Sequence, residues 1–278
     1  MDMLVRNGET VEKIRSKLDK KEDREILDWI TTVNFASQQR DYFQRRQPGT
    51  GEWFLNSIEF QNWREERRKT MFCIGAPGAG KTIITSIAIN DLLQSAVNDE
   101  SIGIAYIYFN FRRHDEQRIG ILLSSLLRQL AETRSSLPKE VKTLFKHHIA
   151  EGTLPSIENI SATLVAVAMS YSRVFIFIDA LDEGPSSEGG LEKLLSEVFK
   201  LQTKCGANIL ATSRESTEIQ KYFGNKKPFR IYAPEDDVTT YLEQKMMLQD
   251  LEIWDDALKQ DVKEKVVGTI DGMSVCSS

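Results

Sequence analysis

The stretch Gly75-Ala76-Pro77-Gly78-Ala79-Gly80-Lys81-Thr82 decides the fold. It satisfies the pattern G-x-x-x-x-G-K-[ST] in full, which chance would supply in about one chain in a hundred of this length. An apolar strand, Thr70–Ile74, precedes it, and an amphipathic helix, Lys81–Leu93, follows with Ile84, Ile87 and Ala88 on its buried side. The glycines let the backbone curl so that consecutive N–H groups converge on phosphate oxygens. The positive end of the helix dipole adds to the same field. Gly75, Ala76, Pro77, Gly78, Ala79, Gly80, Lys81 and Thr82 are therefore read as the phosphate cradle of ATP or GTP. Lys81 is expected to reach the β- and γ-phosphates, and Thr82 to place its hydroxyl on Mg2+.

About a hundred residues downstream, Val174-Phe175-Ile176-Phe177-Ile178-Asp179-Ala180-Leu181-Asp182-Glu183 is an apolar run that ends in acids. A continuous apolar run fits a parallel strand covered on both faces. Its terminal carboxylate then sits at the sheet edge where open α/β folds bind their ligands. Asp179 is expected to hold Mg2+, and Asp182 or Glu183 to polarise the attacking water, with the two left unseparated. A third apolar strand, Asn208-Ile209-Leu210-Ala211-Thr212-Ser213-Arg214, ends in polar residues. Arg214 is expected to sense the γ-phosphate through charge-assisted hydrogen bonds; a surface pairing with Glu215 or Glu218 is the competing reading. Arg112, Arg113 and His114 are weaker candidates for stabilising transferred charge, and a solvated loop accounts for them as well. His147 and His148 are adjacent on a predicted helix, so they diverge and mark no metal site.

The rest of the chain alternates strands and helices, which implies right-handed crossovers and a mostly parallel sheet. Strands are expected at 102–109 and 229–232, and helices at 9–30, 115–133, 138–149, 157–171, 188–202, 236–249 and 255–267. Residues 52–63 are read as one helix with Trp53, Phe54, Ile58 and Trp63 facing inward. The charged run Arg64–Lys69 is mixed in sign, which suits a solvated loop better than a binding patch.

Composition narrows the functional classes. The chain has 278 residues, a net charge of −5 and 41% apolar residues, so it can bury a sizeable core. Its acidic balance, pI about 5.5, argues against a nucleic-acid binder. The three cysteines, Cys73, Cys205 and Cys276, are widely spaced and fit a reducing compartment. The polar start and short apolar runs predict a protein of the cytoplasm with no membrane partner.

Taken together, these stretches resemble the NACHT family of signal-transduction NTPases, in the nephrocystin-like N-terminal form found in fungal NLR-type proteins. The resemblance is carried by Gln44–Phe54, Phe72–Thr85, Leu122–Leu130, Val174–Glu183 and Ile209–Glu215. It implies an α/β fold, a three-layer P-loop NTPase whose five-stranded parallel sheet runs in the order 5-1-4-3-2. It also implies a slow NTPase switch of the STAND class, resting with a diphosphate and recruiting an effector or self-associating after exchange. Lys81 and Thr82 match the Walker A positions, Asp179 the Walker B acid, Asp182 and Glu183 the added acidic pair, and Arg214 the first sensor. The turn Thr50-Gly51 ahead of Trp53 matches a segment that touches the base.

The resemblance divides the chain into a helical lead at 1–34, a nucleotide-binding core at 35–232 and the start of a helical lid at 233–278. The expected continuation after Gly272-Met273 is aromatic and helical, so the final Ser-Val-Cys-Ser-Ser reads as a truncated or misread end. Two other functions compete with the switch. One is a non-hydrolysing scaffold that binds nucleotide or protein. The other is a nucleoside monophosphate kinase, which the sequence around Lys81 suggests, although such kinases usually carry a glycine after the lysine and an Arg-rich lid, and here Lys81 is followed by Thr82-Ile83-Ile84.

Overall fold

The computed structural model describes residues 20–112, 117–185, 189–224, 227–248, 260–262 and 265–266. Helix α1 occupies 20–30, and α2 is Ala36–Arg45. Two short helices, α3 (Glu52–Leu55) and α4 (Ile58–Glu65), lead into β1 (Thr70–Ile74) and α5 (Lys81–Ser95). Strand β2 (Ile102–Tyr108) is followed by α6 (Ile119–Glu132), α7 (Lys139–Glu151) and α8 (Ile157–Ala168). Then come β3 (Arg173–Asp179), α9 (Gly190–Cys205), β4 (Asn208–Ser213), α10 (Thr217–Gln220), β5 (Phe229–Arg230) and α11 (Glu235–Leu248).

The five strands form one sheet in the order β2-β3-β4-β1-β5, with all pairs parallel. This is the expected order read from the other edge. Because the chain steps from β1 out to β2 and then back toward β5, right-handed crossovers put α5 on one face and the helices after β2 and β3 on the other. The packing agrees. Helix α2 covers α5, while α6, α8 and α9 pack on one another across the opposite face. The strands are buried on both sides, which is why β3 reads as an unbroken apolar run.

One expected element is divided. Residues 52–63 form α3 and α4, not a single helix, because Ser57 adopts an extended conformation and accepts a hydrogen bond from Phe60 N. A serine able to cap the helix that follows it competes with helix continuation through it. The break turns Ile58 outward, 70% exposed, against the expectation that it faces the core. Phe54 and Trp63 are buried as expected.

Helix α1 closes over α6 and α7. Asp28 pairs with Arg128 at 2.9 Å and Asp23 with Lys142 at 2.8 Å, and Trp29 packs edge-on against Phe145. The earlier part of the expected 9–30 helix lies outside the described residues, as does most of the expected 255–267 helix. Among the described residues no helix is long and apolar enough to cross a membrane.

Candidate functional site

The loop after β1 is shaped by what crowds it. A Cβ on Gly75 would lie 2.6 Å from the Ile231 carbonyl oxygen, so the chain beyond β5 can pass only because that position is glycine. Gly80 adopts φ 84 at the start of α5, a left-handed conformation that favours glycine. The loop is anchored on both sides: Gly75 N donates to Ser213 O at 3.3 Å, and Ile231 N donates to Ile74 O at 2.7 Å. Lys81 folds back across it and donates to the carbonyls of Gly75 and Ala76 at 2.7 and 3.0 Å. Partial burial pushes its ammonium below the usual lysine range, opposed by the carboxylates of Asp182 and Asp179.

Asp179 ends β3 and is 1% exposed. Three hydroxyls donate to it. Thr82 reaches Oδ2 at 2.6 Å, while Thr212 and Thr85 reach Oδ1 at 2.7 and 3.1 Å. Burial raises its carboxyl above the usual range, and these hydrogen bonds oppose that rise. Thr85 and Thr212 carry no role in the sequence reading. Register finds Thr212, because Ile178 lies opposite Ala211 and Asp179 and Thr212 follow side by side, whereas Thr85 shares a face of α5 with Thr82 three residues before it.

Past Asp179 the chain turns sharply. Ala180 takes φ 57 and ψ 55, and Leu181–Glu183 form one tight 3-10 turn. That turn carries Asp182 to the end of β4. Asp182 accepts from Arg214 N at 2.8 Å and Ser213 Oγ at 3.3 Å, and pairs with the Arg214 guanidinium at 3.1 Å. Glu183 is held less tightly. It lies 3.6 Å from Arg214 and accepts from Phe111 N at 3.3 Å. Arg214 thus pairs with Asp182 and Glu183 and not with Glu215 or Glu218, the competing reading; Glu215 pairs with Arg230 at 3.1 Å.

A cavity of about 400 Å³ opens beside Thr82 and Glu183, lined also by Tyr42, Arg45, Phe109, Asn110, Arg112 and Ala180. A second cavity, about 230 Å³, lies at the opposite end of β1 between Trp63, Thr70, Phe72 and Phe229, away from these groups. Arg112 lies over the Phe111 ring, 5.4 Å from its centroid. Arg113 and His114 lie outside the described residues. His147 is exposed beside Glu151, whereas His148 is buried and bonded to Thr153, and the two rings meet edge-on with centroids 5.0 Å apart.

The site therefore gathers an ammonium, a guanidinium, three carboxylates and a ring of hydroxyls at the carboxyl ends of β1, β4 and β3. Set against known proteins, the profile described as Nephrocystin 3, N-terminal matches residues 49–214, more than half of the chain. The chain belongs to the nephrocystin 3 N-terminal family. The resemblance to the nephrocystin-like N-terminal form read from the sequence is thereby borne out. The match runs from the turn ahead of Trp53 to Arg214, so it takes in the loop and both polar strand ends.

No curated protein sequence matches the chain. Solved structures similar to this family member include the following three. Domain III of the replication initiation protein DnaA from Thermotoga maritima has 15% identity and a TM-score of 0.45, covering 81% of this chain and 80% of that one. Cdc6p from Pyrobaculum aerophilum has 12% identity and a TM-score of 0.47, covering 80% and 53%. A Walker-type ATPase of Pyrococcus abyssi has 13% identity and a TM-score of 0.48, covering 78% and 64%. The chain thus spans less than two thirds of the length of the last two.

Proposed function

We propose that the protein binds a nucleoside triphosphate with Mg2+ on the loop Gly75–Thr82 and hydrolyses it slowly, as the switch module of a signalling protein. The observation that carries this reading is the convergence on one sheet edge of Lys81, Thr82, Asp179, Asp182, Glu183 and Arg214. Family membership supports it. ATP or GTP fits the cradle, and the output is recruitment of an effector or self-association. Residues 35–232 form the nucleotide-binding core, 1–34 the lead and 233–278 the start of the lid.

The donor set suits magnesium. The Thr82 hydroxyl and Asp179 Oδ2 lie 2.6 Å apart, and both are the hard oxygen donors this ion prefers. Bound there, the ion would neutralise charge on the phosphates. Lys81 would exchange its two carbonyl partners for phosphate oxygens. Glu183 is the better candidate for the base. It borders the cavity next to Thr82, whereas Asp182 is occupied by Ser213 and by the backbone and side chain of Arg214. Asp182 then positions Arg214, which would meet the γ-phosphate from the end of β4.

One observation favours a second reading, a scaffold that binds nucleotide without turnover: Arg214 pairs with both acidic residues of the turn. Two measurements separate the readings. Calorimetric titration of ATP, ADP and GTP with Mg2+ is expected to show binding by the wild type that Lys81→Ala loses. Glu183→Gln is expected to keep binding and lower turnover by about 10²–10⁴-fold. Binding without any wild-type turnover selects the scaffold, and no binding at all rejects both.

A further inference from the structure

The two oxygens of Asp179 are treated differently by the protein. A carboxylate oxygen offers two in-plane lone-pair directions. On Oδ1 both are taken, by the hydroxyls of Thr212 at 2.7 Å and Thr85 at 3.1 Å. Among the described residues, Oδ2 receives only the Thr82 hydroxyl, at 2.6 Å. Each of the two donors to Oδ1 is fixed in turn. Thr212 Oγ1 accepts from Ala180 N at 2.9 Å, so its single proton is committed to Asp179. Thr85 lies three residues after Thr82 on α5, on the same face of the helix, and is 1% exposed. Thr212 is fully buried on β4. Neither threonine can turn toward water.

Simple satisfaction of a buried acid does not require this asymmetry. Two hydroxyls on one oxygen, from two different elements, fix the rotation of the carboxylate about its Cβ–Cγ bond. They leave the unfilled direction on Oδ2, the oxygen beside the phosphate loop. We propose that Thr85 and Thr212 are positioning residues that clamp Asp179 Oδ1 so that Oδ2 faces the Mg2+ of the bound nucleotide. This rests on the nucleotide-binding reading of the loop. Groups that orient a metal ligand in this way typically change metal affinity by about 10–100-fold when removed.

The test removes each hydroxyl at nearly constant volume. Thr85→Val, Thr212→Val and the conservative Thr212→Ser are compared with wild type. ADP binding is measured by calorimetry in EDTA and again across a Mg2+ titration, with a melting temperature for each variant. The expected result is ADP affinity in EDTA close to that of wild type and a Mg2+ half-saturation point raised on the order of tenfold in both valine variants. Thr212→Ser should restore it. The proposal is overturned if the Mg2+ dependence of both valine variants equals that of wild type. It is also overturned if ADP affinity in EDTA and the melting temperature fall together with it, since that is the mark of a structural role. A wild type that binds no nucleotide in either condition overturns the reading of the loop and the clamp with it. Normal wild-type binding with unaltered variants overturns the clamp alone.

Discussion

Ala180 is the residue on which the acidic end of β3 turns. Its φ of 57 lies in the left-handed region, where a Cβ costs about 1–2 kcal/mol. The conformation earns its place geometrically, because it ends the strand directly after Asp179 and swings Asp182 onto Arg214. Glycine at this position would remove the steric cost but lose more backbone entropy, so Ala180→Gly is expected to match wild type within about 1 kcal/mol in urea unfolding. A β-branched side chain fits this region worst, and Ala180→Val is expected to lose about 1–3 kcal/mol. Equal stability of the two variants would mean that the turn relaxes freely. At this scale the sequence is legible where chemistry dictates spacing, as in Gly75–Thr82, or where an acid ends an apolar run, as at Asp179. It left Asp182 and Glu183 unseparated, because their difference lies in which of them the tight turn delivers to the end of β4. Thr85 and Thr212 were silent for a related reason. Nothing local distinguishes a threonine that faces a carboxylate from one that faces lipophilic neighbours; the β3–β4 register does so for Thr212, and the packing of α5 on β3 does so for Thr85.

Helix α4 shows how an element can be placed by one side chain. Trp63 is 2% exposed and packs against Phe60, Phe175 and Phe177 with ring centroids 5.4–5.5 Å apart. Its Nε1–H donates to the Ile209 carbonyl at 2.9 Å, so a helix that precedes β1 is pinned to β4. Asn208 reinforces the joint by donating to the carbonyls of Trp63 and Glu66, both at 2.6 Å. Trp63→Ala should cost about 3–5 kcal/mol through lost burial and the cavity left behind. Trp63→Phe keeps much of the ring contact and loses the hydrogen bond, for about 0.5–1.5 kcal/mol plus a smaller void. Chemical denaturation of the two variants measures the split. Near-equal losses would show that the hydrogen bond, not the ring, holds the helix. The apolar spacing of residues 52–63 announced burial of Phe54 and Trp63 but hid the break at Ser57. A cap competes with helix continuation through a few tenths to about 2 kcal/mol, too small a margin for periodicity to reveal.

Across the whole molecule, the sheet order was legible only through family resemblance, since alternating strands and helices permit several orders of a doubly wound sheet. The same holds for the link between α11 and the turn ahead of α3, which joins residues far apart in the chain and carries no local signature. Asp237 Oδ2 accepts from Gly51 N at 2.8 Å, and partial burial raises its carboxyl above the usual range against that hydrogen bond. Trp53 stacks on Tyr232 at 5.0 Å and on Phe229 at 6.1 Å in the same region. Gly51 is itself held close to α5, where a Cβ would lie 2.5 Å from Ile87 Cδ1. The beginning of the expected lid is thus tied to the segment that leads into the phosphate loop, while the core cluster is built from β1–β4 and from α1 and α3–α10, with no described residue of α11 in it. Removing the tie should loosen the periphery without opening the centre. Asp237→Ala is expected to speed amide exchange in residues 235–248 and leave exchange in β1, β3 and β4 unchanged. Acceleration spread evenly over the sheet would mean that α11 is part of the cooperative core. No acceleration anywhere would mean that the stacked rings alone hold α11 in place.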